Sequence, residues 1–528
     1  MRTTLLILPG STNTVATLLS SDRPAVLAPW HDKPLLLRIL HSLETLRITQ
    51  LIICAKDQPL WDHWRLLLAE KINLTLIDPV LFEKDPQAAW NMIGTYLIGE
   101  RRLLVHSATG FFDQLDDLST VQDCLFEAAP SLPAVRASFD GLLLIVNKPL
   151  VWCELAALSG DLAATLAGYE RSIGLTRHLL PHWHAISSNS SLGLYHQFSH
   201  HQIERHPLTM TKSGDGDALA AEAFYYQNNT RKALFPRIDQ ISATSITMQF
   251  WPAHSLAYYF LFHPLPIESQ ADMVNQLWHL LHQELYTVPA TAELSSIATE
   301  KMYGERVVSR VETWQQALST AELPLVQAKT VYCNGLQLVG WPKLAKLVTQ
   351  RAKELAKTAV IQQIHGDLHF ANILYAPEQQ LFCLLDPRGA WGDQYTIYGD
   401  LRYDMAKFLH SFHGGYEMIK NGLSSFEEED AIHYRLQIPP ASVASVDCVK
   451  QLCHRWQIDI QDVFWIEALC FLSMSKFYPS RSLQKQFFLQ GLLLINQLLG
   501  PVIFISFVML RLMPIIKVFG WGDVLTHP

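Results

Sequence analysis

The first 180 residues alternate short apolar runs with segments whose apolar positions recur at helical spacing. The apolar runs predict strands at Thr4–Leu8, Gln50–Cys54, Leu74–Ile77, Arg102–His106 and Gly141–Val146. Helical spacing predicts helices at Lys33–Leu46, Leu60–Ala69, Gln87–Ile98 and within Leu150–Gly168. This alternation is typical of βαβ units with right-handed connections, so we predict an α/β domain with a mostly parallel sheet.

A polar, histidine-rich stretch at 181–210 interrupts this pattern and marks the predicted domain boundary. We place the α/β domain at 1–180 and a second domain at 185–500. The second domain is divided into an N-lobe at about 185–262 and a C-lobe at about 263–500. An apolar C-terminal tail follows at 501–528.

The tail contains a run, Val502–Gly520, that is about long enough to cross a bilayer. Arg511 lies near its middle and opposes insertion by about 2.5–3.5 kcal/mol. Pro514 and Lys517 oppose it further. Three interpretations stay open: a membrane span, a helix at the membrane surface and a buried segment.

The composition indicates a folded protein with ample core, because 49% of the 528 residues are apolar and 17% are charged. The net charge of −8 gives no support to nucleic-acid binding through an overall basic surface. The eight cysteines form no CxxC pattern, and we interpret them as reduced core thiols of a cytoplasmic protein. We expect no secretory signal, since the apolar run Leu5–Leu8 is too short for one.

The segment with the clearest chemical pattern is Ile364–Gly389, which reads IHGDLHFANILYAPEQQLFCLLDPRG. Its HGD places a carboxylate at Asp367, and Asn372 follows five residues later. Two apolar runs separated by a turn lie between Asn372 and Asp386 and predict a hairpin. Because a hairpin returns to its own start, we expect two carboxylates and one amide oxygen to converge at one end of a small sheet.

Such oxygen ligands suit Mg²⁺, which binds carboxylates together with phosphate oxygens and keeps several waters. The remaining carboxylate, Asp367, is placed to accept a proton from a substrate hydroxyl. Phosphoryl transfer needs this division between a metal that neutralises the phosphates and a carboxylate that orients the nucleophile.

With these residues, the C-terminal part resembles the aminoglycoside phosphotransferase and choline kinase superfamily, which shares the protein-kinase fold. The family loop H-G-D-x-x-x-x-N is matched at His365–Asn372, and its L-D-P motif is matched around Asp386. The resemblance implies an α+β bilobal fold, with Asp367 as catalytic base and Asn372 and Asp386 as Mg²⁺ ligands. It also implies that His365 supports the loop. Asp404, in a segment similar to the family's D-x-x-x-D-x-A, is implied to support it as well.

In this fold a strand lysine of the N-lobe contacts the ATP phosphates and pairs with a helix glutamate. The segment at 207–213 predicts a strand that carries Lys212, and the segment at 218–227 predicts a helix that carries Glu222. We assign both residues to nucleotide binding. Ser245–Trp251 predicts the strand leading to the hinge, where adenine would meet the backbone. A glycine-rich phosphate loop is not evident in the sequence, and we expect Ser187–Leu194 to serve instead.

Residues 1–130 resemble sugar-nucleotide nucleotidyltransferases in the order of their predicted strands, loops and motifs. The family's G-x-G-T-R loop is replaced by Pro9–Thr14, and Arg23-Pro24 stands near the usual P-K. The first Asp after the strand Arg102–His106 is only Asp113. Backbone N–H groups cannot wrap a triphosphate closely without the glycines. We therefore expect a degenerate domain without nucleotidyl transfer, or a plain α/β scaffold.

These patterns predict a transferase: an ATP- and Mg²⁺-dependent small-molecule kinase that phosphorylates an alcohol group of a sugar or amino alcohol. A nucleotide and a small-molecule acceptor are its predicted partners. By analogy, the fusion suggests capsule (surface polysaccharide) or lipid head-group biosynthesis, with membrane association through the tail. A pseudokinase that binds nucleotide without turnover, a bifunctional kinase–nucleotidyltransferase and a membrane-anchored scaffold stay open as alternatives. Motif spacing does not identify the acceptor, the nucleotide preference or the oligomeric state.

Overall fold

The computed structural model describes residues 3–8, 25–27, 29–30, 33–43, 46–55, 59–69, 71–100, 102–107, 110–112, 123–128, 142–159, 162–180, 183–185, 202–206, 208–214, 216–262, 267–286, 296–439, 444–478 and 480–500. The chain divides into two compact units, Met1–Gln197 with Phe262–Pro264, and Phe198–Leu261 with Leu265–Pro528. Several sequence predictions lie outside the described residues: those for Pro9–Thr14, Arg23-Pro24, Asp113, Ser187–Leu194 and the tail.

The first unit is built on a seven-stranded sheet with the order β10-β8-β9-β6-β1-β4-β5. The strands of this unit are β1 (Thr3–Leu8), β2 (Pro29–Trp30), β3 (Lys33–Pro34), β4 (Ile48–Cys54), β5 (Asn73–Ile77), β6 (Arg102–Ser107), β7 (Gly110–Phe112), β8 (Cys124–Ala128), β9 (Leu142–Val146), β10 (Thr176–Leu180) and β11 (Trp183–Ala185). Two short pairs, β2 with β3 and β7 with β11, lie outside the large sheet. Every residue of β1 is buried, as expected for an apolar strand between two parallel neighbours.

The large sheet is mixed rather than purely parallel. Parallel pairings join β1 to β4 and β6, β4 to β5, and β8 to β10. Strand β9 runs antiparallel to both β6 and β8. The predicted parallel character therefore holds for the run β6-β1-β4-β5 and for the pair of β8 with β10. The sequence of β9, LLLIV, is apolar on both faces, and such a run does not encode the direction of a strand.

Among the described residues, six α-helices accompany this sheet. They are α1 (Leu35–Ser42), α2 (Pro59–Leu68), α3 (Pro79–Lys84), α4 (Pro86–Tyr96), α5 (Pro149–Ser159) and α6 (Leu162–Ile173). The predicted helix at Lys33–Leu46 was too long at its start, because Lys33 and Pro34 form β3 and Pro34 is the N-cap of α1. The side chain of Asp85 caps α4 by accepting a hydrogen bond from the N–H of Ala88.

The second unit begins with a four-stranded antiparallel sheet of order β12-β13-β15-β14 and continues with shorter strand groups. Its strands are β12 (Gln202–Arg205), β13 (Thr209–Ser213), β14 (Ile238–Ile241), β15 (Ser245–Gln249), β16 (His254–Ser255), β17 (Thr330–Cys333), β18 (Leu336–Val339), β19 (Ile361–Gln363), β20 (Ile373–Ala376), β21 (Leu381–Leu384), β22 (Ala390–Trp391), β23 (Gln394–Tyr395), β24 (Tyr398–Asp400), β25 (Ser425–Glu428) and β26 (His433–Gln437). The predicted hairpin is present, since β20 pairs antiparallel with β21.

The rest of the second unit is mainly helical. Its α-helices are α7 (Asp217–Asn228), α8 (Leu256–Leu261), α9 (Ile267–Glu284), α10 (Ser296–Glu300), α11 (Arg306–Gln316), α12 (Pro324–Gln327), α13 (Trp341–Lys357), α14 (Leu401–Phe412), α15 (Tyr416–Lys420), α16 (Ala444–Arg455), α17 (Ile460–Met474) and α18 (Arg481–Leu499). Helix α14 is buried along its whole length and packs against α17, which in turn packs against α18. This buried position allows polar side chains of α14 to reach the loop that follows β19.

None of the helices in the described ranges has both the length and the hydropathy that crossing a bilayer requires.

Candidate active site

Lys212 and Glu222 form an ion pair inside the N-terminal part of the second unit. Lys212 lies on β13 and Glu222 on α7, and each side chain is only 5% exposed. The Lys212 Nζ is 2.6 Å from the Glu222 Oε2. The same Nζ is 3.1 Å from the Oδ1 of Asp386, which follows β21. The structure thus brings together the strand lysine, the helix glutamate and the later aspartate that the sequence singled out separately.

One ammonium group serves two carboxylates in this arrangement. Burial lowers the pKa of Lys212, but the charges of Asp386 and Glu222 outweigh it and hold the pKa above its ordinary value, so the lysine stays protonated. Burial, and then the charge of Asp386, raises the pKa of Glu222 against the opposing charge of Lys212. The excess of negative charge favours a further cation beside Asp386, whose side chain is 37% exposed.

The turn between β21 and β22 approaches helix α7 closely. Asp386 has φ of +56° and Gly389 has φ of +62°, both in the left-handed region. A Cβ at Gly389 would lie 1.7 Å from the carbonyl oxygen of Ala221, the residue before Glu222. Only glycine therefore fits at this position, and the close approach holds Asp386 next to the Lys212–Glu222 pair.

Asp404 fixes the backbone of the loop that carries Asp367. Its two carboxylate oxygens accept hydrogen bonds from the N–H groups of His365 and Gly366, at 2.8 and 2.7 Å. The hydroxyl of Tyr286 donates to the same carboxylate at 3.2 Å. These three donors account for how a fully buried carboxylate is tolerated.

His365 connects this loop to the strand that leads to Asp386. Burial lowers the pKa of His365 to about 4, so its ring is neutral at physiological pH. The N–H of Asp367 donates to its Nδ1 at 3.2 Å, which places the ring proton on Nε2. Nε2 then donates to the carbonyl oxygen of Leu385 at 2.8 Å. Through these two hydrogen bonds, His365 joins the Asp367 loop to the residue that precedes Asp386.

Asn372 lies at the start of the hairpin, beside Asp367. Its side-chain NH₂ donates to the carbonyl oxygen of Asp367 at 2.9 Å. The backbone carbonyl oxygen of Asn372 accepts a hydrogen bond from the N–H of Leu385 at 2.9 Å, so the hairpin brings Asn372 and the end of β21 together. Because its nitrogen is used in this way, the amide oxygen is the atom of this side chain that suits a cation.

Asp367 has a partner that the sequence did not indicate. The Lys407 Nζ lies 2.8 Å from the Asp367 Oδ1, and the His369 Nε2 lies 3.8 Å from the Oδ2. Burial would raise the pKa of Asp367, but the charge of Lys407, followed by that of His369, holds it well below its usual range. Lys407 follows Asp404 by three residues on α14, and this spacing places both on one helix face. That spacing is the signal that could have identified Lys407.

A cavity of about 650 Å³ joins these groups. It is lined by Lys212, Asp217, Ala218, Ala221, Glu222, Asp367, Asp386, Pro387, Arg388, Ala390, Gly392, Asp393 and Tyr395. The candidate base, the candidate metal ligand Asp386 and the candidate nucleotide-binding pair therefore line one cavity. His365 and Asp404 are fully buried and support it from behind.

No family model and no curated protein matches this chain. Solved structures that are similar to it include choline or ethanolamine kinases and nucleotidyltransferases, the two classes that the sequence resembles. A choline/ethanolamine kinase family protein from Mesorhizobium loti is 11% identical, covering 59% of this chain and 89% of that one, with a TM-score of 0.35. Choline kinase from Cryptosporidium parvum is 12% identical, covering 58% and 86%, with a TM-score of 0.34. CTP:phosphocholine cytidylyltransferase from Streptococcus pneumoniae is 12% identical, covering 35% and 93%, with a TM-score of 0.27.

Proposed function

We propose that this protein is an ATP- and Mg²⁺-dependent small-molecule kinase that phosphorylates a hydroxyl group. The observation that carries the proposal is the single cavity that Lys212, Glu222, Asp367 and Asp386 line together. Phosphoryl transfer requires positioned charges around the phosphates and one carboxylate at the nucleophile, and this cavity offers both.

Lys212 is the proposed contact for the nucleotide phosphates. Its bond to Glu222 holds the ammonium group at the cavity wall, and Asp386 is its second carboxylate partner. Asp386 and the amide oxygen of Asn372 are the proposed ligands for Mg²⁺. When bound, Mg²⁺ neutralises charge on the transferring phosphate.

Asp367 is the proposed catalytic base. It accepts the proton of the acceptor hydroxyl while that oxygen forms a bond to the γ-phosphorus and the bond between the γ-phosphorus and the bridging oxygen of ADP breaks. Lys407 keeps the carboxylate ionised and fixes its position through the 2.8 Å contact. His365 and Asp404 hold the loop backbone, so they are proposed as positioning residues.

The acceptor that we propose is a sugar or amino alcohol, and the pathway is capsule or lipid head-group biosynthesis with a membrane-associated tail. The resemblance of residues 1–130 to sugar-nucleotide nucleotidyltransferases supports this assignment by analogy.

The test is ADP release by the full chain with ATP, Mg²⁺ and a panel of sugars, sugar derivatives and amino alcohols. We expect turnover with at least one acceptor. Asp367→Asn should lower kcat by about 10²-fold or more, because it removes the proton acceptor and keeps the shape. Asp239→Asn, on the exposed part of β14, is the matched control and should keep wild-type turnover. Full activity of Asp367→Asn would overturn the proposed mechanism.

A further inference from the structure

Three arginines gather beside the Asp367 loop, and we call them the arginine cluster: Arg306, Arg310 and Arg388. Arg306 and Arg310 stand four residues apart on α11, so they share one helix face. Arg388 belongs to the turn after Asp386. The Nη1 atoms of Arg388 and Arg306 lie 3.4 and 3.5 Å from the hydroxyl oxygen of Tyr403. Two guanidinium groups thus approach one phenol hydroxyl.

The arginine cluster forms no ion pair with a carboxylate of the described residues, although the charge of Asp367 acts on Arg388. In the described ranges, no carboxylate oxygen lies within 4.0 Å of a guanidinium nitrogen of these three residues. The neighbouring Arg402 shows the usual alternative, since it forms ion pairs of 2.6 Å with both Asp400 and Asp462. Partly buried cations without carboxylate partners are unfavourable for folding, so their presence calls for a ligand.

Two further observations describe this surplus of positive charge. The Nε of Arg306 is buried without a hydrogen-bond partner among the described residues. Burial, and then the charges of Arg306 and Arg388, lowers the pKa of Arg310 to about 9. Arg310 therefore remains charged at neutral pH while its neighbours repel it. The ring of Phe477, 4.4 Å from its Cζ, offers only partial compensation.

One member of the arginine cluster, Arg388, reaches the cavity next to the candidate base. Arg388 lines the cavity together with Asp367. Its stem packs on the HGD turn, because a Cβ at Gly366 would lie 2.6 Å from the Arg388 Cβ. The guanidinium group of Arg388 contacts Tyr403 on α14, whereas Lys212 is bonded to Glu222 and Asp386. The cavity thus has one cationic group on the nucleotide side and a second cationic group beside Asp367.

We infer that the acceptor of the proposed kinase carries an anionic group, a phosphate or a carboxylate, which the arginine cluster binds while a hydroxyl of the same molecule faces Asp367. The inference rests on the proposed function and narrows its acceptor to a negatively charged hydroxyl compound, such as a sugar phosphate or a sugar acid. Guanidinium groups match both anions through paired N–H donors. A purely cationic amino alcohol would meet like charge here and be repelled.

Acceptor selectivity tests the inference directly. We would compare phosphate transfer from ATP by the full chain to a neutral hexose, the corresponding hexose phosphate, the hexuronic acid and choline. We expect the phosphate or the carboxylate compound to be preferred in kcat/KM. Arg310→Gln should lower that preference by about tenfold or more through the acceptor KM, since it removes one charge-assisted hydrogen-bonding group. The Arg435→Gln variant, on an exposed hairpin, is the matched control.

Three results would overturn the inference. The first is an equal or better rate with choline or the neutral hexose. The second is a tenfold rise of the KM for ATP in Arg310→Gln with an unchanged acceptor KM, which would assign the arginines to the nucleotide. The third is a large fall of the melting temperature in Arg310→Gln, which would indicate a structural role. Because the variant relieves like-charge repulsion, we expect its melting temperature to be kept or raised, and Arg310→Lys to retain part of the selectivity.

Binding of inorganic sulfate to the full chain, measured by calorimetry, separates this inference from the kinase proposal. We expect sulfate to bind the wild type and Lys212→Met alike and to bind Arg310→Gln more weakly. If this result is obtained but no ATP turnover is detected with any acceptor, the anion site is supported and the kinase proposal is contradicted. If uncharged acceptors are phosphorylated and sulfate binding depends on Lys212 but not on Arg310, the kinase proposal is supported and the anion site is contradicted.

Discussion

The carboxylate of Asp404 accepts a 2.8 Å hydrogen bond from the backbone N–H of His365, although the two residues stand 39 positions apart in the chain. Its other oxygen accepts from the N–H of Gly366, whose φ of +79° lies in the left-handed region. A buried helix side chain therefore fixes the turn from which Asp367 projects.

Removing this carboxylate leaves two buried N–H groups without an acceptor. We expect Asp404→Ala to lower the free energy of unfolding by about 1–3 kcal/mol for each unpaired group and to lower kcat more than it changes the KM for ATP. Urea denaturation and steady-state kinetics measure both. Asp447→Ala, which removes an exposed carboxylate on α16, is the control. An unfolding free energy equal to that of the control would contradict the role assigned to Asp404.

Gly389 and Gly422 form a matched pair for the close approach of the Asp386 turn to α7. Both have positive φ, +62° and +71°, but a Cβ at Gly422 would have no atom within 4 Å, whereas one at Gly389 would meet the Ala221 carbonyl. Gly422→Ala should cost about 1–2 kcal/mol for its backbone conformation alone. Gly389→Ala should cost clearly more and raise the KM for ATP, because α7 carries Glu222. Equal melting temperatures of the two variants would show that the contact is unimportant.

Lys407 offers a test through pH. Burial alone would raise the pKa of Asp367, and the charge of Lys407 reverses this and holds the pKa low. In Lys407→Met the pKa of Asp367 should therefore rise. Since the deprotonated carboxylate is the active form, the acid limb of the kcat/KM profile should move to higher pH. The exposed Lys450→Met is the control. An acid limb at the wild-type position would argue against Lys407 acting on Asp367.

Glu322 gives a stability prediction away from the cavity. Burial would raise its pKa, but the N–H and hydroxyl of Ser319 and the ammonium of Lys485 outweigh burial and lower the pKa of Glu322 from 4.5 to about 2. A carboxyl with a depressed folded-state pKa contributes stability that is present above its unfolded value and lost as the pH falls.

We accordingly expect Glu322→Gln to lower the free energy of unfolding by up to about 3 kcal/mol at pH 7. The difference in unfolding free energy between this variant and the wild type should become smaller as the pH falls from 5 to 3. Urea unfolding at several pH values measures this difference. A difference in unfolding free energy that stays constant between pH 5 and pH 3 would disprove that the lowered pKa of Glu322 stabilises the fold.

The parts of the site that the sequence predicted are those whose contacts are local. Asn372 and Asp386 are joined by one hairpin, so spacing indicated their relationship. Lys212 and Glu222 lie on one strand and the helix after it, and the resemblance to the kinase fold indicated that pair. The bond from Lys212 to Asp386 spans 174 positions, and the contact of Lys407 with Asp367 depends on how α14 packs. No periodic pattern encodes the contact between Lys212 and Asp386, and the spacing of Asp404 and Lys407 indicates only that they share one helix face.

The same distinction applies to the fold. The positions of β1, β4, β5, β6 and β9 followed from apolar periodicity, whereas β8 and β10 were not predicted. The antiparallel direction of β9 depends on its connections through the sheet. The arginine cluster combines residues of α11 with Arg388, about 80 positions later, and it became visible only through packing.

The most direct test of the proposed kinase site is a thermal-shift measurement of the full chain with ATP, with and without Mg²⁺, in the wild type, Asp386→Asn and the control Asp239→Asn. Asparagine is chosen because it tolerates the positive φ of Asp386. Binding to the native state raises the melting temperature by mass action. We predict that ATP with Mg²⁺ stabilises the wild type and the control and that this Mg²⁺-dependent shift disappears in Asp386→Asn. A shift of the same size in Asp386→Asn, or no shift in any of the three proteins, would contradict the account.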